Sequence, residues 1–283
     1  MELVSKLRAR AAQGNPIHVG IIGCGQMGSG LAHSISNVTG MRVDAIADIA
    51  PERGVATLKE LGRAVGDIVV TDEEGAAQDA LRSGKAIVTT DAMLMTRLEG
   101  LEANVEVTGV PDIGAAVAHA SIMNGKPIVM LNVETDITVG AYLNHLARKT
   151  GSLYTVASGD EPGVCKMLFE QALLMGFEVV CLGKGKNNPI DYAATPDSCR
   201  AEAESKGMNP KMLASFKDGT KTMVEMAAVS NATGLVPDVP GMHGPKVEVD
   251  ELVTPFIPAE DGGILSKPGC VDYSTGAIAP GVF

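Results

Sequence analysis

The sequence predicts an α/β protein whose N-terminal half forms a doubly wound parallel sheet. Two observations carry this prediction. Short strand-like runs such as 17–22, which is apolar and β-branched, and 41–47 alternate with helix-like stretches through residue 157, and a glycine-rich turn directly follows the first run. Parallel strands need a crossover connection, which is usually a helix, so this alternation indicates a parallel sheet.

The elements of this half follow one another in a regular order. The expected strands are residues 17–22, 41–47, 68–71, 86–89, 105–109, 127–132 and 153–158. The expected helices are residues 3–13, 29–37, 52–62, 72–83 and 112–124. The rhythm changes near residue 157, which predicts a first domain over 1–157 and a second, mixed α/β domain over 158–283.

The second domain has weaker signals. We predict a helix that starts at Glu161, where Pro162 occupies a first-turn position, then a strand over 179–182 and a helix over 196–206. After residue 235 the chain is rich in glycine and proline, which predicts long loops.

Composition excludes several classes of protein. The net charge is −11, which argues against nucleic-acid binding because phosphates repel an acidic surface. No apolar run approaches the roughly 18 residues that a membrane helix needs, and the N-terminus has no secretory apolar segment. The five cysteines form no CxxC or zinc-ligand spacing, which is typical of free thiols in a reducing compartment. We therefore expect a cytoplasmic protein without membrane or nucleic-acid partners.

The glycine-rich turn predicts a dinucleotide site of the Rossmann type. Gly23, Gly25 and Gly28 follow a strand and open a helix, and the backbone of Gln26 and Met27 lies at that helix start. Such a turn lets the backbone and the helix dipole approach a pyrophosphate. Asp48 ends the second strand about 20 residues later, at the spacing of a ribose-binding acid, and favours NAD over NADP.

Further residues are expected at the carboxyl edge of the sheet, where ligands bind. Thr108 and Gly109 follow a later strand and are expected on the nicotinamide side, the alternative being a plain strand–helix turn. Asn132 follows the next strand and is expected to line the cofactor site. Glu134 comes directly after it and is a candidate base or metal ligand, the alternative being that Glu134 or Asp136 caps a helix.

The second domain contributes the other chemical candidates. Glu161 lies at a helix start and either ligates a metal with Glu134 or satisfies the helix dipole. Lys184, Lys186 and Asn188 lie in the string GKGKNNP, which we predict to be a flexible loop after a strand. A lysine there can polarise a reacting oxygen or bind an anion, and Asn188 can orient the substrate. The alternative is a solvated basic turn.

Longer motifs give the sequence a family resemblance. They are GCGQMG, TGVPDIGA, NGKPIVMLNVETD, GDEPG, GKGKNNP, GMHGP and GGILSKPG. Together they resemble the deoxyxylulose-phosphate reductoisomerase-like proteins, which are homoserine-dehydrogenase-like oxidoreductases that often carry a SAF-type domain. The resemblance implies a Rossmann domain, a catalytic and dimerisation domain, a homodimer, an NAD or NADP cofactor and a divalent cation such as Mg²⁺ or Mn²⁺.

Three departures from that family refine the expectation. Asp48-Ile49-Ala50 stands where NADPH-using members carry basic residues, and Asn132 is not followed by the lysine of homoserine dehydrogenases. Because the given chain stops at Phe283, the SAF-type region is expected to be absent.

The sequence therefore predicts an NAD(P)-dependent oxidoreductase or reductoisomerase. Its expected substrate is a polyol, sugar acid or sugar phosphate such as 1-deoxy-D-xylulose 5-phosphate. Two alternatives remain at this point. One is an acylating aldehyde dehydrogenase that uses Cys165 as its nucleophile, and the other is a non-enzymatic NAD(H) sensor or scaffold.

Overall fold

The computed structural model describes residues 2–276 and 281–283. The chain divides into two units, Met1–Ala157 and Ser158–Phe283. Among the described residues, no helix is both long enough and apolar enough to span a membrane.

The first unit is built on a seven-stranded parallel sheet with the order β3-β4-β2-β1-β5-β6-β7. Its strands are β1 (Ile17–Ile22), β2 (Met41–Ala47), β3 (Ile68–Val70), β4 (Ala86–Thr89), β5 (Ala103–Glu106), β6 (Ile128–Met130) and β7 (Tyr154–Val156). Its helices are α1 (Glu2–Ala12), α2 (Gln26–Ser36), α3 (Pro51–Glu60), α4 (Glu74–Arg82), α5 (Pro111–Met123) and α6 (Val133–Thr150). The predicted α/β fold is confirmed.

Both faces of this sheet are buried, as a doubly wound arrangement requires. Ile21 and Ile22 are neighbours on β1, yet they belong to different hydrophobic clusters. Because successive side chains of a strand point to opposite faces, each cluster covers one face of the sheet. Continuous apolar runs in the sequence therefore correspond to central strands.

The strand order reverses at β1, which pairs with β2 on one side and β5 on the other. In open α/β sheets the crevice at such a switch point binds ligands. Three segments open there: the glycine turn after β1, Asp48 after β2, and the turn that follows Glu106 at the end of β5.

The second unit contains a three-stranded parallel sheet with the order β8-β10-β9. Its strands are β8 (Cys181–Lys186), β9 (Val236–Pro237) and β10 (Cys270–Thr275). Its helices are α7 (Glu161–Leu174), α8 (Arg200–Ser205), α9 (Pro210–Lys217) and α10 (Thr220–Thr233). A core that includes Leu182, Met226 and Val271 joins the sheet to the helices, so this unit is a mixed α/β domain.

Two sequence expectations for this unit are wrong. The GKGK segment is not a loop after a strand but the body of β8, and β10 lies in the region expected to be only loops. Glycine ordinarily weakens a strand, so Gly183 looked like a strand end. In the structure a Cβ on Gly183 would overlap the Asp272 carbonyl oxygen and the Phe283 ring, so close packing requires glycine there.

Candidate functional site

Two glycines of the predicted nucleotide turn are required by close backbone packing. Gly23 has a φ of 100°, and a Cβ added to it would lie 2.8 Å from the Thr108 amide nitrogen. A Cβ on Gly28 would overlap the Gly23 carbonyl oxygen. The turn therefore packs closely against the start of α2 on one side and against the segment after β5 on the other.

The start of α2 is arranged to receive an anion. Its N-cap is Gly25, and no side chain caps the helix. The first amide groups of a helix have no intrahelical partner, so those at Gln26 and Met27 are available to a ligand. Nothing lies within 4 Å of the position where a Gly25 Cβ would stand, which leaves room for a pyrophosphate. These residues fit a dinucleotide.

Asp48 holds the glycine turn as well as the end of β2. Its Oδ2 accepts a hydrogen bond of 2.6 Å from the Cys24 amide, and its Oδ1 accepts one of 2.8 Å from the Ala50 amide. Each carboxylate oxygen retains a further acceptor position. The one nearby cation among the described residues is Arg53, which is 59% exposed and 3.8 Å from Oδ1. Asp48 is thus fixed beside the glycine turn by two backbone amide groups.

The turn after β5 is held by a carboxyl group that the sequence analysis did not single out. Glu106 accepts hydrogen bonds from the Thr108 amide at 2.9 Å and from the Thr108 hydroxyl. The Thr108 hydroxyl in turn accepts from the Val110 amide at 3.1 Å. The side chain of Thr108 is thus engaged internally, and Gly109 and Val110 form the exposed part of the turn.

The start of α6 settles which residue caps that helix. Asn132 is the N-cap, and its Oδ1 accepts from the Thr135 amide at 3.2 Å. Glu134 lies half-buried in the first turn. Asp136 accepts a hydrogen bond of 2.7 Å from the Tyr154 hydroxyl. Neither acid is the cap, and Asn132 itself is only 1% exposed.

The second unit brings together three charged groups from three separate elements. Lys184 on β8 donates to Glu161 Oε1 at 3.0 Å and to Glu225 Oε2. Glu161 begins α7 and Glu225 lies in the middle of α10. The Lys184 and Glu225 side chains are 8% and 5% exposed. Sequence analysis identified Lys184 and Glu161 but missed Glu225.

Asp160 adds a third carboxylate to this acid–lysine cluster, which we define as Asp160, Glu161, Lys184 and Glu225. One oxygen from each of its three acids lies within 4.8 Å of the others. Burial, a hydrogen bond with Glu161 and the charges of Glu161 and Glu225 raise the pKa of Asp160 to about 6. Burial opposes ionisation of Glu161, but Asp160 and Lys184 bring its pKa down to about 2. The proton of this pair therefore resides on Asp160, and it is lost as the pH rises through about 6.

Lys184 stays charged in this cluster. Burial lowers the pKa of Lys184, but hydrogen bonds and charges from Glu225 and Glu161 outweigh that effect and raise it. Burial raises the pKa of Glu225 more than Lys184 lowers it. The cluster therefore combines a permanent hydrogen-bond donor with a carboxyl pair that titrates close to neutrality.

Lys186 and Asn188 lie beside the cluster with different contacts. Lys186 Nζ donates to the Asn188 carbonyl at 2.6 Å and to the Phe216 carbonyl at 2.9 Å. Burial and the neighbouring Lys184 charge lower the Lys186 pKa. Because Lys184 and Lys186 are two residues apart on β8, they point to the same face of the sheet. Lys186 anchors the segment that carries the half-buried Asn188 to the end of α9.

Cys165 lies next to this cluster but is a poor nucleophile. Its side chain is fully buried, its thiol donates to the Gly183 carbonyl at 3.6 Å, and burial raises its pKa to about 11. A thiol that stays protonated at neutral pH does not attack a carbonyl readily. The geometry therefore argues against the acylating aldehyde dehydrogenase reading.

The expected metal ligands are Glu134 in the first unit and Glu161 in the second. Within the part of the chain that the structure describes, the group with metal-ligand spacing is Asp160, Glu161 and Glu225. Carboxylate oxygens suit Mg²⁺ or Mn²⁺. The Lys184 ammonium, however, already lies between Glu161 and Glu225. A divalent cation does not fit this arrangement as it stands.

The structure combines a Rossmann-type α/β unit with a second α/β unit that carries a buried acid–lysine cluster. Solved structures share this fold. A probable dehydrogenase from Thermotoga maritima matches at 15% identity and a TM-score of 0.51, over 92% of this chain and 69% of its own. The scyllo-inositol dehydrogenase of Lactobacillus casei, solved with NAD(H) and scyllo-inositol, matches at 14% identity and a TM-score of 0.50.

That second match covers 79% of this chain and 58% of the inositol dehydrogenase, so the chain spans little more than half of that relative's length. Residues 159–283 match the family model described as oxidoreductase DRL, catalytic domain. No curated protein matches the sequence significantly. The second unit, with its acid–lysine cluster, is thus similar to an oxidoreductase catalytic domain.

Proposed function

We propose that the chain is an NAD(P)-dependent oxidoreductase that interconverts a hydroxyl and a carbonyl group on a small polar substrate. The observation that carries this proposal is the Lys184 ammonium held between Glu161 and Glu225. It lies in the part of the chain that matches an oxidoreductase catalytic domain. The uncapped start of α2 and the fixed Asp48 supply the cofactor site in the other unit.

In this proposal, Lys184 and the Asp160–Glu161 pair have different roles in the reaction. A bound nicotinamide cofactor supplies or accepts the hydride. Lys184 donates a hydrogen bond to the reacting oxygen and stabilises the negative charge that develops on it. The Asp160–Glu161 pair accepts the hydroxyl proton during oxidation and returns it during reduction, because a group with a pKa near 6 exchanges protons readily at neutral pH.

The substrate class follows from the same cluster. Charged, hydrogen-bonding side chains suit a substrate with several hydroxyl groups, and Lys184 or Lys186 suits an anionic end. We propose a polyol, a sugar acid or a sugar phosphate. The resemblance to reductoisomerase-like proteins adds 1-deoxy-D-xylulose 5-phosphate as a specific candidate. We derive no step through a metal ion, since Lys184 occupies the place between the carboxylates.

The experiment is a turnover panel followed at the nicotinamide absorbance. The full chain is tested with NAD⁺ and NADP⁺ against inositols, sugar acids and sugar phosphates, and with NADH and NADPH against 1-deoxy-D-xylulose 5-phosphate. Turnover of any member supports the proposal. Tight NADH binding with no turnover across the panel contradicts it and favours the sensor or scaffold alternative.

Asp48 is expected to give the protein a preference for NADH over NADPH of about tenfold, or about 1.4 kcal/mol. The reason is that its carboxylate repels a 2′-phosphate at the ribose site. Asp48→Asn removes the charge and keeps one acceptor oxygen, at the loss of one of the two backbone amide bonds, so the preference is expected to fall by most of that factor. The measurement is the ratio of the two dissociation constants from nucleotide fluorescence.

The matched control for this prediction is Asp79→Asn, since the Asp79 side chain is 82% exposed on α4. It removes one negative charge from the same unit and is expected to leave the ratio unchanged. A wild-type preference for NADPH would show that Arg53, and not Asp48, determines the specificity at this position.

A further inference from the structure

Glu106 is a fully buried acid at the end of a central strand of the first unit. Its backbone carbonyl accepts from the Leu131 amide at 2.9 Å, which ties it to the chain just after β6. Its Oε1 holds the amide and hydroxyl of Thr108. A buried carboxyl group is costly unless it is well hydrogen-bonded, so this residue is expected to have a specific task.

Two buried polar atoms at this place have no hydrogen-bond partner among the described residues: Glu106 Oε2 and Asn132 Nδ2. Both lie around Gly114 on α5. A Cβ added to Gly114 would lie 2.8 Å from Asn132 Nδ2 and 3.0 Å from Glu106 Oε2. Gly114 thus makes the space in which the carboxyl and the amide approach each other. The two side chains connect the turn after β5 with the cap of α6.

The turn that Glu106 holds is in contact with the nucleotide turn. The Gly23 Cβ position is 2.8 Å from the Thr108 amide nitrogen and 2.9 Å from the Val107 carbonyl carbon. The Val107 amide donates to the Ile22 carbonyl at 2.8 Å, so this segment continues the edge of β1. Any shift of Thr108 therefore changes the surface that adjoins the glycine turn.

We propose that Glu106 is a positioning residue for the nicotinamide half of the cofactor. It fixes Thr108 through two hydrogen bonds to one oxygen, and it thereby holds the segment Val107–Gly109 in one conformation. The backbone of that segment then presents an ordered edge to the nicotinamide ring. This inference rests on the proposed function, since it requires a nicotinamide cofactor on the first unit.

Glu106 acts on the turn as a hydrogen-bond acceptor. Burial raises the pKa of Glu106, although the hydrogen bonds from Thr108 lower it. A glutamine has the same shape and can accept the same bonds from Thr108. An alanine leaves the Thr108 amide and hydroxyl without their acceptor, so the turn loses its anchor.

The test compares two ligands, NADH and ADP-ribose, by calorimetric titration of the full chain. ADP-ribose contains every part of the cofactor except the nicotinamide. Glu106→Ala is expected to raise the NADH dissociation constant about tenfold, which equals about 1.4 kcal/mol, and to leave ADP-ribose within about twofold. Glu106→Gln is expected to restore most of the NADH affinity.

The matched control is Asn104→Ala, two residues earlier on the same strand. Asn104 is also fully buried and donates to the Met95 carbonyl at 3.0 Å, at the other end of β5. It is expected to lower the melting temperature without changing the ratio of NADH to ADP-ribose affinity. A purely structural role for Glu106 would give the same result as this control.

Two results would overturn the inference: unchanged NADH affinity in Glu106→Ala, or a parallel loss of both ligands. If Glu106→Ala does not fold, Thr108→Val removes the hydroxyl bond alone, and a selective loss of NADH affinity is again expected. Failure of the wild type to bind NADH would instead reject the proposed function, so the two failures are distinguishable.

Discussion

Replacing Lys184 with methionine is expected to lower kcat/KM by about 10²- to 10³-fold, the usual cost of removing one donor from a developing oxyanion. Lys184 is the only group of the acid–lysine cluster that carries a positive charge, and Glu161 and Glu225 keep it protonated. The measurement is steady-state turnover of the most active substrate from the panel.

The same substitution is expected to lower the free energy of unfolding by about 3–5 kcal/mol, because it removes the cation that bonds directly to the buried Glu225 and leaves that carboxylate only the more distant Lys221, at 3.9 Å. The two effects must therefore be separated. Activity is measured well below the melting temperature of the variant, and kcat is compared with KM. A loss mainly in kcat indicates a role in the transition state, whereas a loss that follows unfolding does not.

Lys166→Met is the matched control. Lys166 lies on the neighbouring helix α7, its side chain is 37% exposed, and it forms a surface ion pair of 3.2 Å with Glu170. Exposed ion pairs contribute about 0–1 kcal/mol, so both activity and stability are expected to stay near the wild-type values. Full activity in Lys184→Met would contradict the assignment of this lysine.

Asp160→Asn is expected to remove the pH dependence of oxidation near pH 6 and to lower the plateau rate about 10²- to 10⁴-fold. Asp160 has a pKa raised to about 6, so its carboxylate is ionised above that pH and protonated below it. A base must be ionised to accept the hydroxyl proton. The wild-type oxidation rate is therefore expected to rise with pH through 6 and then level off.

The rate of carbonyl reduction is expected to show the opposite dependence, since the protonated pair donates. Asp197→Asn is the control. The Asp197 side chain is 87% exposed, and its ion-pair partner in the described part of the chain is Arg200, at 2.5 Å. Asp197→Asn is expected to keep the wild-type pH dependence of both oxidation and carbonyl reduction. If Asp160→Asn retains the wild-type inflection near pH 6, a different group titrates in the reaction.

The fold of the first unit could be predicted because local sequence and tertiary environment agree there. β1 and β2 are largely apolar runs with residues in the core clusters on both faces of the sheet, and Gly23 and Gly28 are each required by close packing. The position of Asp48 followed from the same pattern. The turn after β5 could be predicted only in part, because Glu106 ends a strand and its burial cannot be deduced from its neighbours in the sequence.

The second unit could be predicted less well for a physical reason. Gly183 of β8 looks like a strand breaker, but the structure uses it for close packing against β10 and Phe283. Glu225 belongs to a helix and meets Lys184 only through tertiary contact. One signal existed: Glu225 stands alone among Met223, Val224 and Met226, and an isolated acid in an apolar stretch of helix is buried only when it is paired.

The central claim is that the start of α2 binds a nicotinamide cofactor, and an NADH fluorescence titration of three proteins tests it most directly. Wild type and Gly30→Ala are expected to bind with a dissociation constant of roughly 1 μM to 1 mM, the range of ordinary Michaelis constants. Gly30 lies in the same helix with nothing within 4 Å of its Cβ position, whereas a Cβ on Gly28 would overlap Gly23. Gly28→Ala is therefore expected to lose binding. No saturable binding by the wild type, or unchanged binding by Gly28→Ala, would contradict this account.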